Sequence, residues 1–169
     1  LVPRVIEHAV APRLWVFLLD TSCTNLADLA GLPIEGLIVE GCDIKSLDPI
    51  VGMPLKYLWI SNVPVTHLPN LRGDPANLNQ STKQQSFPPL RFVNLPNTRI
   101  ADISELEGLP IEFVNLTGTL VSSLEPLRSA ELMWISFWGT GVSDTSPLVE
   151  MSVYTHPEHS GGEAWRKGD

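Results

Sequence analysis

The sequence has little with which to bind phosphate, cross a membrane or lock itself with disulfides. Its 169 residues carry 11 lysines and arginines against 19 acids, a formal net charge of −8. Nucleic acid and anionic membrane both call for a basic surface, and this balance argues against either as a partner. No apolar run approaches the roughly 20 residues that span a bilayer, so this segment is not expected to insert into a membrane. Cys23 and Cys42 are too few for a disulfide scaffold, and buried free thiols are the expectation. The histidines, His8, His67, His156 and His159, are scattered. No phosphate loop, metal-spaced cluster or nucleophile motif is visible. No cofactor, metal or catalytic residue is therefore expected, and the chain does not read as an enzyme. Asp20, Glu40, Asp43, Asp102 and Glu112 are spread out, without a converging pair for acid–base work. The chain starts at Leu1 rather than at a methionine, as a fragment or a processed product would.

What the chain does have is a 21-residue beat. Leu37, Leu58, Val93, Val114 and Ile135 hold one phase, and Val39, Ile60, Leu95, Leu116 and Phe137 a second. Ile44, Val65, Ile100, Val121 and Val142 hold a third. One step, between the third and fourth units, is longer. The run Ile34-Glu35-Gly36-Leu37-Ile38-Val39-Glu40-Gly41-Cys42-Asp43-Ile44 fits L-x-x-L-x-L-x-x-(N/C)-x-L, the leucine-rich-repeat pattern. Alternating apolar residues send one face of a short strand inward, and stacking the units pairs the strands into a parallel sheet. Ile44, Leu47, Ile50 and Met53 then fill the core behind it. The return segments are short and carry Pro49, Pro69, Pro126 or Pro147, which suits 3₁₀ turns better than α-helices. Asp48-Pro49 and Ser146-Pro147 read as a cap followed by a first-turn proline. The expected fold is an α/β-type solenoid, mostly β, with a parallel concave sheet and short 3₁₀ or irregular convex segments.

The beat also divides the chain. Residues 1–12 are expected to cap the open core, because terminal units must cover an apolar face. Residues 13–151 form the array of about six units, with a polar loop insertion at 72–89. The array is expected to stop near Met151, because a further unit would put His156 where a core leucine belongs. Residues 152–169 are left as a polar tail. Where an asparagine ladder is common, this chain has Cys42, Thr98, Thr119 and Thr140, with Thr21 at the corresponding place 21 residues before Cys42, and Val63 interrupts the row. These threonines read as structural, their hydroxyls satisfying nearby backbone groups. Asn79-Gln80-Ser81 and Asn115-Leu116-Thr117 are formal glycosylation sequons, the second in a strand.

Residues flanking the inward positions must line the concave face. One column is Trp15, Gly36, Tyr57, Phe92, Phe113 and Trp134. A second is Phe17, Ile38, Trp59, Asn94, Asn115 and Ser136. The third is Leu19, Glu40, Ser61, Pro96, Thr117 and Trp138. Eight of the twelve aromatics fall on these eighteen positions. The first unit's register is ambiguous by one residue, because Arg13 sits poorly at a leucine position. Trp15, Tyr57, Trp59, Phe92, Asn94, Phe113, Asn115, Trp134 and Trp138 are the candidate partner-binding residues. Lateral stacking can place aromatics there for the sheet's sake. A face for a protein or peptide ligand can do so too, and so can a surface covered by sequence outside this chain.

The joints Ser46-Leu47-Asp48-Pro49-Ile50-Val51-Gly52-Met53-Pro54-Leu55 and Ser123-Leu124-Glu125-Pro126-Leu127 resemble those of bacterial leucine-rich-repeat proteins. Similar joints occur in repeats attached to bacterial serine/threonine kinases. Asp102-Ile103-Ser104-Glu105-Leu106 is similar to the joint of internalin-like repeats. The resemblance covers roughly residues 13 to 151. It implies a repeat solenoid that acts in protein–protein interaction or, alternatively, a regulatory or sensor segment of a larger bacterial protein such as a kinase. No kinase residues are present.

Overall fold

The computed structural model describes residues 14–20, 22–72 and 90–149, together with the strand 154–155. Its frame is one parallel sheet of seven strands, stacked in chain order. They are β1 (Leu14–Leu19), β2 (Ile34–Glu40), β3 (Tyr57–Ser61), β4 (Phe92–Asn94), β5 (Phe113–Asn115), β6 (Trp134–Ser136) and β7 (Tyr154–Thr155). The register follows the 21-residue beat: Leu37 pairs with Leu58, and Val93 with Val114 and through it Ile135. All five residues of that first phase are buried, and so are Val39, Ile60, Leu95 and Leu116 of the second. Behind them Ile44, Leu47, Ile50 and Met53 close the core, repeated as Ile100, Ile103 and Leu106, then Val121, Leu124 and Leu127.

Tyr57 pairs with Phe92, a step of 35 residues in place of 21. The fourteen extra residues therefore leave the ladder unbroken. Residues 73–89, which make up most of the expected insertion, lie outside the described residues, as do 1–13. On the near side of that gap, Arg72 donates to the carbonyls of Ser104, at 3.5 Å, and Glu107.

The sheet does not stop at Met151. β7 pairs in parallel with β6, Trp134 opposite Tyr154 and Ile135 opposite Thr155. A parallel ladder needs only backbone N–H and C=O groups. The missing leucine at His156 therefore does not prevent a further strand from pairing.

The convex returns are single 3₁₀ turns at Ala27–Leu29, Asp48–Ile50, Ser104–Leu106, Glu125–Leu127 and Ser146–Leu148. Prolines occupy their second positions at Pro49, Pro126 and Pro147. Asp48 and Ser146 are not the caps; they are the first residues of their turns. The capping side chains stand two residues earlier. Asn25, Ser46, Asp102, Ser123 and Asp144 accept from the backbone N–H groups of Ala27, Asp48, Ser104, Glu125 and Ser146 at 2.8–3.2 Å. A short polar side chain that bonds the backbone two residues on makes such a tight turn by itself. In the third unit the corresponding residue to be capped is Pro69, which has no N–H to give. His67 stands at the cap position there, exposed as expected.

The row that replaces an asparagine ladder is polar but local. Thr98, Thr119 and Thr140 each donate to a carbonyl three residues back, on Leu95, Leu116 and Phe137, at 3.0, 2.7 and 2.6 Å. Cys42 is buried and forms no disulfide, as expected, its thiol within reach of the Glu40 carbonyl at 3.3 Å and the Leu18 carbonyl at 3.6 Å. Cys23 is only partly buried. Thr21 lies outside the described residues. At the strand exits runs a further column, Asp20, Gly41, Asn62, Asn97, Gly118 and Gly139, all with positive φ. Glycine, asparagine and aspartate are the residues that tolerate this conformation best. The column is tied sideways by a 3.0 Å bond from the Asn97 amide to Asn62 Oδ1.

Candidate functional site

The concave face is built from the three columns that the beat lays out. In β1, Leu14, Val16 and Leu18 pack against the core, while Trp15, Phe17 and Leu19 point outward. The pairings Trp15–Gly36, Phe17–Ile38 and Leu19–Glu40 put the first unit in step with the rest and remove the one-residue ambiguity. Phe17 and Leu19 thereby join the face, although neither is among the nine candidate residues. The signal that could have placed them is the apolar alternation of Leu14, Val16 and Leu18.

The first column is a ladder of rings. Trp15 and Tyr57 lie 5.0 Å apart between centroids, Tyr57 and Phe92 6.1 Å, and Phe92 and Phe113 5.6 Å. Trp15 reaches Tyr57 across a whole unit because Gly36 leaves the space open. A Cβ built on Gly36 would fall within the Trp15 indole. Phe92, Phe113 and Trp134 are half-buried. This column stabilises the sheet by cross-strand contact, at about 0.5–1.5 kcal/mol per ring pair.

The other two columns are not a ladder of rings. Phe17 and Trp138 are both 58 % exposed, and Leu19 and Trp59 are also open to solvent. Trp59 is steadied by a 3.2 Å hydrogen bond from its indole N–H to Ser61 Oγ. From β4 onward the centre of the face turns polar. Asn94 is buried and Asn115 half-buried. The Asn115 carbonyl oxygen accepts from the Thr117 N–H at 3.0 Å, and Thr117 and Ser136 share a hydroxyl hydrogen bond of 2.8 Å. Asn115 is thus engaged in its own turn, a poor position for a glycan. Trp138, two residues past the end of β6, completes the face, its carbonyl accepting from the Gly118 N–H. All nine candidate residues therefore share one side of the sheet.

Charge is arranged at the borders. Glu35 pairs with Lys56 at 3.4 Å and Arg91 with Glu112, along the row just before the first column. Glu40 is the one carboxylate within the eighteen positions, and Asp20 adjoins it at the strand exit. Among the described residues no group of three or more His, Cys, Asp or Glu side chains is placed to hold a metal, and no helix is long and apolar enough to cross a membrane.

The convex side carries a shallow depression of about 420 Å³ lined by Asp102, Ile103, Glu107, Ser123, Glu125 and Arg128 among others. Two of its carboxylates are already engaged. Asp102 caps Ser104, and Glu125 is held by Arg128 through two 2.7 Å bonds. The Arg128 hydrogen bonds keep the Glu125 carboxyl below the usual carboxylate range. The Ser146 backbone N–H does the same for Asp144, helped by the Ser146 hydroxyl.

No protein-family model matches the sequence, and no curated protein matches it. Among solved structures the chain is similar to an internalin (inlF) of Listeria monocytogenes, with a TM-score of 0.55 and 18% identity. The likeness covers 85% of this chain and 46% of the internalin, so the chain spans about half the length of that protein. The chain is a leucine-rich-repeat solenoid, similar in fold to an internalin.

Proposed function

We propose that this solenoid is a protein-interaction module that docks a partner on its concave, aromatic face. The observation that carries the proposal is the exposure of Phe17, Leu19, Trp59 and Trp138 in the second and third columns. Ring stacking accounts for the first column and, through Trp15, reaches Phe17, but it gives no reason for Leu19, Trp59 and Trp138 to be open to water. Such a patch, built on a rigid sheet and rimmed by polar residues, is what partner-binding surfaces present. Tryptophan and tyrosine are also favoured as anchors there. The internalin likeness supplies the fold, and the side chains of this chain supply the surface. The test is a pull-down with the intact chain against a Trp59→Ser/Trp138→Ser variant. These two residues are exposed, so the variant should keep its melting temperature and lose its captured partners. Equal capture by both proteins would remove the concave face from the function.

A further inference from the structure

One buried polar group on this face has no hydrogen-bond partner among the described residues. Asn94 is 6 % exposed. Among the described residues its side-chain amide makes no hydrogen bond, whereas Asn115, its partner on β5, and Ser61, Thr117 and Ser136 of the same face are all engaged. A buried, unsatisfied amide costs stability that an apolar residue of the same shape would not. The register places Asn94 between Trp59 and Asn115, at the point where the apolar part of the face meets its polar part.

We infer that Asn94 is the polar anchor of the docking face and that its amide pairs with a main-chain amide of an extended, basic peptide segment of the partner protein. The inference rests on the interaction function proposed above and names its ligand class. An Asn side chain offers one carbonyl acceptor and one NH₂ donor in a plane. A peptide group offers the complementary N–H and C=O, so both can be satisfied together. Charge sets the rest of the segment. The cations bordering the face, Lys56 and Arg91, are neutralised by Glu35 and Glu112. Asp20 and Glu40 have no ion pair among the described residues and lie beside Leu19 in neighbouring units. The chain as a whole carries −8. A lysine or arginine in the ligand can lay its aliphatic stem on the apolar patch and carry its charge to these carboxylates.

Asn94→Leu is the decisive variant, with two readouts. The free protein should melt about 2–4 °C higher, since an orphaned amide gives way to an apolar group of similar size. A lower melting temperature would mean that the fold uses the amide, and would overturn the inference. For binding, the probes are two pools of fluorescein-labelled nonapeptides, one alternating Lys or Arg with Leu, Trp and Tyr, the other with Asp and Glu as the charged residues. The basic pool should bind the wild-type chain, and the tightest peptide should bind Asn94→Leu about tenfold more weakly. Replacing its amides one at a time by esters should weaken binding at one position in the wild type and at none in Asn94→Leu. Binding lost in Trp59→Ser but unchanged in Asn94→Leu would leave the docking face standing and overturn the role of Asn94. Preference for the acidic pool, or binding of neither, would overturn the ligand class.

Discussion

Gly36 has no side chain because the indole of Trp15 already occupies the place where one would go. The one residue of the first column without a ring is thus what lets the column continue, with Trp15 passing over it to Tyr57. Gly36→Ala should therefore displace Trp15 and cost about 1–3 kcal/mol, the usual range for overpacking. Urea melts with tryptophan fluorescence would show both the loss of stability and a more solvent-exposed Trp15. An unchanged midpoint would mean that Trp15 moves aside freely. The buried threonines follow a different logic. Thr119 donates to the Leu116 carbonyl, yet Val63 fills the same slot in its own unit, fully buried. The slot accepts a β-branched side chain of this size with or without a hydroxyl. Thr119→Val should then cost about 1 kcal/mol, the net worth of one hydrogen bond, with no cavity term added. A loss several times larger in a denaturant melt would show that the hydroxyl does more than satisfy one carbonyl. Asn94 was legible as a concave residue, because its column follows from counting by 21. That it is buried with no hydrogen-bond partner among the described residues was not, since the spacing of a repeat does not say how side chains of adjacent strands cover one another.

At the scale of the element, each convex return is a one-turn 3₁₀ segment whose start is fixed by a polar side chain two residues before it. The sequence showed the prolines and the polar residues beside them, and the cap was placed at Asp48 and Ser146 by analogy with α-helices. The displacement has a simple cause. In so short a turn, an Asx- or Ser-type bond to the backbone two residues on does the work of a helix cap. Ser46→Ala should remove that bond and cost about 0.5–2 kcal/mol, measurable by thermal melting. Asp144 adds a pH dependence. Its folded-state pKa lies below the ordinary value of 3.8, through its bonds to Ser146. A group depressed in this way contributes stability that is fully present above the unfolded pKa and is lost as pH falls through the folded one. Melts between pH 7 and 5 should therefore be indifferent to this group, and those below 3.8 should show its loss. Asp144→Asn keeps an acceptor oxygen but cannot titrate, so it should flatten that acid limb. The same acid limb in wild type and variant would rule Asp144 out as its source.

At the scale of the whole molecule, each described strand packs against the strands next to it in the stack, with Trp15 reaching past Gly36 to Tyr57 as an exception, so stability is close to a sum of unit and interface terms along the stack. Its architecture was legible because a solenoid repeats one local rule. Counting by 21 located β2 to β6, the inward positions and the concave columns together. At the two ends the rule gives way, at one residue of β1 and throughout β7. At β1 the pairing slips by one residue between Leu14 and Trp15, where it joins Ile34 and Gly36. At β7 the step shortens to 20, with Trp134 opposite Tyr154. Backbone pairing tolerates such shifts where few core side chains constrain them, whereas the interior does not. This contrast sets a test in deletion variants. Removing residues 95–115 joins Asn94 to Leu116, so that Leu116 takes the buried place of Leu95 and β4 meets β6 in register. That protein should fold, with a cooperative melt, a lower midpoint and a smaller denaturant slope in keeping with less buried surface. Removing residues 95–114 takes out one residue fewer, yet it puts Asn115 inward and Leu116 outward. Because side chains alternate along a strand, a one-residue slip exchanges the faces of everything that follows in it. The 20-residue deletion should lose the cooperative transition that the 21-residue deletion keeps. Equal cooperativity in urea melts of the two would mean that the beat describes this sequence without governing its fold.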